Sequence, residues 1–190
     1  MKTYFVSGIE AFHDDFVEKC CTFFPSWRKE QMMRYKHLNG RIQNGLAYVL
    51  LIYALKKEGI FDKMPEFCYN EHGKPFLKNY PGWHFNLSHS KTAVCCTLSH
   101  KDIGIDIEDI GSYKDSLAHY TCNDEELKLL ENSHDKAETF YMLWTQKEAV
   151  FKMIGSGITN DIKNILKTPY INIETKRIGN TWMSIANKIL

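Results

Sequence analysis

The chain is 190 residues long, 44% hydrophobic, 13% aromatic and 25% charged, with a formal net charge of +1. That length suits one domain or two small fused lobes with a substantial core, and near-neutral charge argues against a dedicated nucleic-acid binder, which needs a clearly basic face. The N-terminal stretch MKTYFVSGIEAFHDDF has acids where a secretory signal needs an apolar core, and no run approaches the roughly 20 apolar residues of a membrane helix. The expectation is a globular, cytoplasmic, monomeric protein with neither membrane nor nucleic acid as partner. Six cysteines, Cys20-Cys21, Cys68, Cys95-Cys96 and Cys122, contain no C-x-x-C pair and read as reduced, mostly buried thiols.

Residues 3 to 9 are apolar and β-branched enough for a first strand, Ala11 to Cys21 suits a short helix, and Pro25 interrupts before the basic segment Trp27-Arg28-Lys29. A long helical pattern runs from Gln31 to Glu58 through Met33, Ile42, Leu46, Val49, Leu50 and Tyr53, with Gly59 as its stop; Gly40 and Gly45 move its start toward Asn39. Its first part carries Arg34, Lys36, His37 and Arg41, either a solvated face or a cationic approach to a ligand. Phe67 to Tyr69 and Pro75 to Leu77 flank a turn at Gly73, and Trp83 to Ser90 places Phe85 and Leu87 on one face with Asn86 and Ser88 on the other. Ala93 to Leu98 is a further strand, expected to form a hairpin with Ile103 to Glu108. Asn123 and Glu126 fit a capping box, and a strong helix follows from about Lys136 to Ile154, its inward stripe being Phe140, Leu143, Trp144, Phe151 and Ile154. Two short strands, Tyr170 to Glu174 and Thr181 to Ile185, close the chain around Gly179-Asn180.

The chemistry gathers in Ile103 to Glu108, where Ile103, Ile105 and Ile107 alternate with Gly104, Asp106 and Glu108 in the period-two pattern of a half-buried strand. Residues two apart on a strand share a face, so Asp106 and Glu108 can converge on one hard cation such as Mg²⁺; two solvated acids on an exposed edge are the plain alternative. Glu148 falls on the buried flank of the strong helix, where a carboxylate is costly without a charge partner. A cation shared with Asp106 and Glu108 would supply one, with Lys147 and Lys152 neutralising a departing phosphate; an exposed i,i+4 pair with Lys152 is the alternative.

The blocks Gly73-Lys74-Pro75, Phe85-Asn86-Leu87-Ser88-His89-Ser90, Gly104-Ile105-Asp106-Ile107-Glu108 and Trp144-Thr145-Gln146-Lys147-Glu148-Ala149-Val150-Phe151-Lys152, with Gly155 and Gly157, resemble the Sfp-type 4′-phosphopantetheinyl transferases in order and spacing. The resemblance covers residues 73 to 157. It implies an α+β fold of two pseudo-symmetric lobes with the active site in the cleft between them; the order of the elements suggests that each lobe is a small antiparallel sheet packed on a long helix, with the boundary near residue 100 (lobes 1–100 and 101–190). It also implies Mg²⁺-dependent transfer of the phosphopantetheine arm of coenzyme A to a serine of an apo acyl or peptidyl carrier protein, releasing 3′,5′-ADP; a catalytically degenerate coenzyme A or carrier-binding module is the alternative. By the same match, Asp106, Glu108 and Glu148 would ligate Mg²⁺, Glu148 would also act as base, and Lys152 would stabilise the leaving group. Arg41, Gly73, Lys74, Pro75, Ser88 and His89 would join Lys152 in holding coenzyme A. Where this family usually has an aspartate three residues before the arginine, this chain has Leu38.

Overall fold

The structure, a computed structural model, describes residues 1–157 and 161–189. Among the described residues, eight strands and six α-helices run in the order β1 (Lys2–Ser7), α1 (Asp14–Phe23), α2 (Ser26–Met33), α3 (Leu38–Lys57), β2 (Phe67–Tyr69), β3 (Pro75–Leu77), β4 (His84–His89), β5 (Ala93–Ser99), β6 (Ile103–Asp109), α4 (Asp115–Thr121), α5 (Asp124–Glu131), α6 (Lys136–Ile154), β7 (Ile171–Ile178) and β8 (Thr181–Lys188). The class is α+β. One antiparallel sheet has the order β1-β5-β4, a second β6-β8-β7, and β2-β3 is a separate hairpin.

Each three-stranded sheet packs on one long helix because that helix presents an apolar face. In α3, Ile42, Leu46, Leu50, Leu51, Ala54 and Leu55 are buried against Phe85, Val94, Cys96 and Leu98 of the first sheet. In α6, Ala149, Val150 and Met153 are buried against Ala186 of the second sheet. Helix α6 starts with the Asp135 side chain accepting from Glu138 N at 3.0 Å and ends at Gly155, which takes the left-handed φ of 77° that glycine adopts without strain. The capping box expected at Asn123 and Glu126 opens α5, with both reciprocal bonds formed.

Several expectations are corrected. The long helix starts at Leu38, close to the start near Asn39 that Gly40 and Gly45 suggested, whereas residues 31–33 belong to a separate helix, α2, which Pro25 opens at its N-cap with φ −61°. Helix α4 was not anticipated. Strands β5 and β6 do not form a hairpin: β5 is fully paired between β1 and β4, and the chain crosses at residues 100–102 to pair β6 with β8, Asp106 opposite Ser184 and Glu108 opposite Trp182. Ile154 points outward at the helix end rather than into the stripe.

Strand β6 is buried on both faces, not one. Ile103, Ile105 and Ile107 pack with Ala93, Cys95 and Phe5 of the first sheet and with Met183 and Ile185 of the second, joining the two cores. On the other face, Gly104 lies directly under α6, where a Cβ would run into the Ala149 carbonyl oxygen and the Met153 nitrogen. Gly104→Ala must therefore push the helix off the strand. Unfolding stability should fall by about 3 kcal/mol, read as a shift in denaturant midpoint at constant slope.

Candidate active site

The free edge of β6 faces β4, and side chains stitch it there in place of a strand ladder. Asn86 Oδ1 accepts from Ile105 N at 2.9 Å, and Ser88 Oγ donates to Asp106 Oδ1 at 2.9 Å. Farther along, the Asp109 carboxylate accepts from Ser90 Oγ (2.9 Å), Thr92 N (3.1 Å), Thr92 Oγ1 (2.7 Å) and Thr181 Oγ1 (2.8 Å). Asp109 thus binds the β4–β5 turn to the start of β8.

Over this seam α6 brings Lys152. Its Nζ lies 2.6 Å from Asp106 Oδ1 and donates to Ser88 Oγ at 2.9 Å. Asp106 is buried, and its second oxygen, Oδ2, has no hydrogen-bond partner. Desolvation pushes the Lys152 ammonium down, but the charge and hydrogen bond of Asp106 outweigh it, so the net shift is upward and Lys152 stays charged. Glu108 is pushed up to about 7, first by desolvation and then by Asp106, with Glu148 adding to the rise and Trp144 and Lys152 opposing it. Glu148, half-buried, is raised by desolvation and by Asp106. Three carboxylates feel one another here, and Lys152 is the ammonium paired directly with one of them. The resulting excess of negative charge, together with the orphaned Asp106 Oδ2, suits an added cation. Among the described residues, no three His, Cys, Asp or Glu side chains are grouped closely enough to hold a metal ion.

Alongside lies a cleft of ≈270 Å³ with walls from both lobes: His72, Gly73, Lys74 and Pro75 of the hairpin, Asn86 and Leu87 of β4, and Glu148, Phe151, Lys152, Gly155 and Gly157 at the end of α6. A larger hollow of ≈470 Å³ lies between β1 and α3, but its walls, among them Tyr4, Phe5, Val6, Leu46 and Tyr53, include no charged side chain. Lys74 Nζ donates to Met153 O at 2.6 Å, and burial depresses its pKa.

Of the anticipated residues, Gly73, Lys74, Pro75, Glu148 and Lys152 line the cleft, and Asp106 and Ser88 sit behind it with both Ser88 bonds turned to Asp106 and Lys152. His89 stands exposed at the end of β4, its imidazole pKa lowered by partial desolvation and by the Lys152 charge. Arg41 is outside the cleft lining, with its Nε on Tyr35 O at 2.9 Å. Lys147 is not beside the phosphate path: it is buried, paired with Glu126 at 2.8 Å and bonded to Ile162 O at 2.8 Å. Arg28, one of the basic residues before α3, is likewise buried, held by Asn44 O and lying over the Tyr48 ring. Sequence reasoning gave no role to Asn70, His72 or Asp109. Their signal was positional: a side chain in the loop before Gly-Lys-Pro, and an acid one past the paired acids.

Residues 102–188 match the model of the 4′-phosphopantetheinyl transferase superfamily. The chain is similar to the 4′-phosphopantetheinyl transferase Sfp of Bacillus subtilis (strain 168), 29% identical over 145 residues, covering 75% of this chain and 65% of that protein. It is also similar to the 4′-phosphopantetheinyl transferase gsp of Aneurinibacillus migulanus, 31% identical over 134 residues, covering 69% of this chain and 56% of that one. Against the 4′-phosphopantetheinyl transferase AcpT of Salmonella typhimurium it is 36% identical over 100 residues, covering 50% of this chain and 52% of the relative. In these three matches the chain spans about half to two thirds of the relative's length. Among the described residues, no helix is long and apolar enough to cross a membrane.

Proposed function

We propose, from the match of residues 102–188 to the 4′-phosphopantetheinyl transferase superfamily, that the protein transfers 4′-phosphopantetheine from coenzyme A to a serine of an apo acyl or peptidyl carrier protein. The observation that carries this is the cleft itself. Lys74 from one lobe and Glu148 and Lys152 from the other line a single cavity, and Asp106, paired with Lys152, stands directly behind it. Lobes 1–100 and 101–190 would then contribute one wall each.

Asp106, Glu108 and Glu148 would hold Mg²⁺. When bound, that ion neutralises charge on the pyrophosphate oxygens and so lowers the barrier to their separation. Among the chain's own groups, Lys74 would leave Met153 O for a phosphate oxygen, with Gly73 and Pro75 shaping the turn beneath it. His89 and Arg41 would meet more distal parts of the substrate. The carrier serine oxygen forms the new bond to the β-phosphorus, and the bond to the bridging oxygen breaks, releasing 3′,5′-ADP. The serine proton passes to the Glu148 carboxylate, which lines the cleft in partial burial. The Lys152 ammonium, kept charged by Asp106, would neutralise the charge appearing on the departing ADP phosphate.

Incubation with coenzyme A, MgCl₂ and a panel of apo-carrier proteins should give a carrier mass increased by one phosphopantetheine group and a stoichiometric amount of 3′,5′-ADP. Excess EDTA should abolish the product, and added MgCl₂ should restore it. No mass gain on any carrier, together with coenzyme A binding by calorimetry, would instead point to the degenerate binding module. Mass gain that survives EDTA would remove the metal role from the three acids.

A further inference from the structure

The tip of the β2–β3 hairpin and the end of α6 meet across the cleft, and Asn70 is the residue that joins them. Its Oδ1 accepts from His72 N at 3.0 Å and from Lys74 N at 2.8 Å, which folds the tip. Its Nδ2 donates to Gly155 O at 2.8 Å, across 85 residues of sequence. The backbone reinforces the turn: Asn70 N donates to Lys74 O at 3.1 Å, and Gly73 N donates to Asn70 O at 3.0 Å. One side chain therefore shapes one wall of the cleft and ties it to the other.

The tie answers an electrostatic difficulty. The last carbonyls of a helix carry the negative end of its dipole, which repels anions. Helix α6 ends at a wall of the cleft where the substrate's phosphates would lie, so an uncovered Gly155 carbonyl would oppose them. Lys74 caps Met153 O, but it must release that oxygen to reach a phosphate, whereas Asn70 can keep its bond throughout. Gly155 makes the approach possible: a Cβ there would lie 2.5 Å from Lys74 Cδ and 3.3 Å from Asn70 Nδ2.

We infer that Asn70 is a positioning residue for the phosphates of coenzyme A, setting the spacing between the hairpin and α6 and covering the Gly155 carbonyl while Lys74 engages the ligand. This rests on the proposed transferase reading. The test begins with calorimetry of coenzyme A on the wild-type protein, followed by kinetics with an apo-carrier for Asn70→Ser and Asn70→Asp. Serine keeps a short acceptor for the turn but cannot reach Gly155 O. For Asn70→Ser, KM for coenzyme A should rise about 5- to 10-fold with kcat within about twofold, the size of one lost neutral hydrogen bond. Asn70→Asp should show the same split, because its carboxylate keeps an acceptor for His72 N and Lys74 N but cannot donate to the Gly155 carbonyl. No coenzyme A binding by the wild type would overturn the transferase reading and this role with it. Wild-type binding with an unchanged KM in Asn70→Ser would overturn the Asn70 role alone. So would a fall in kcat and thermal stability with KM unmoved, which would mark a purely structural turn residue. If Asn70→Ser does not fold, Asn70→Asp decides by the same KM criterion.

Discussion

Asp106→Ala should lower turnover on an apo-carrier by about 10³-fold or more, the range seen when a preorganised charge at the reacting centre is removed. Two losses coincide. The substitution removes one of the three acids proposed to hold Mg²⁺, and it strips Lys152 of the partner 2.6 Å away that holds it charged and in place. Ser88 loses its acceptor at the same moment. Stability should fall by only about 1–3 kcal/mol, since the Lys152 side chain is 29% exposed and water can take over part of its solvation. Mass spectrometry of the carrier gives the rate, and a double-mutant cycle with Lys152→Met gives the coupling. The two changes should be far from additive, because each single variant already destroys the same pair. Turnover within tenfold of wild type would remove Asp106 from the reacting centre.

Glu148→Gln should cut kcat by about 10²- to 10⁴-fold while coenzyme A affinity changes less than about threefold. The amide keeps the volume and the place on the cleft wall but can neither take the serine proton nor carry charge. The contrast with Asp106→Ala is the informative part: loss of affinity and turnover together in Glu148→Gln would make this residue a ligand only, and the proton would have to leave by another route.

Much of this was legible in the chain, and particular residues show why. Strand alternation placed Asp106 and Glu108 on one face, and that face does carry them toward α6. Helical spacing put Glu148 and Lys152 on neighbouring turns, and both reach the cleft. What escaped was whatever depends on partners distant in sequence. The β5–β6 hairpin was the natural reading of two strands joined by a short turn, yet β5 had already been claimed on both edges by β1 and β4. Lys147 reads like Lys152, a lysine next to the key glutamate. Only the fold turns it toward Glu126 and the Ile162 carbonyl instead. Local pattern specifies which face a side chain occupies, and tertiary contact decides what it meets there.

The row of isoleucines on β6 carries a consequence for anyone who would cut the molecule at its waist. Ile103, Ile105 and Ile107 belong by ladder to the second half, yet they bury themselves partly on Ala93, Cys95 and Phe5 of the first. Fragments produced separately would each bare an oily strip and should aggregate or stay partly unfolded, whereas co-expression should let them reassemble as a complementing pair. What looks like a duplication of lobes therefore behaves, for folding, as one indivisible body.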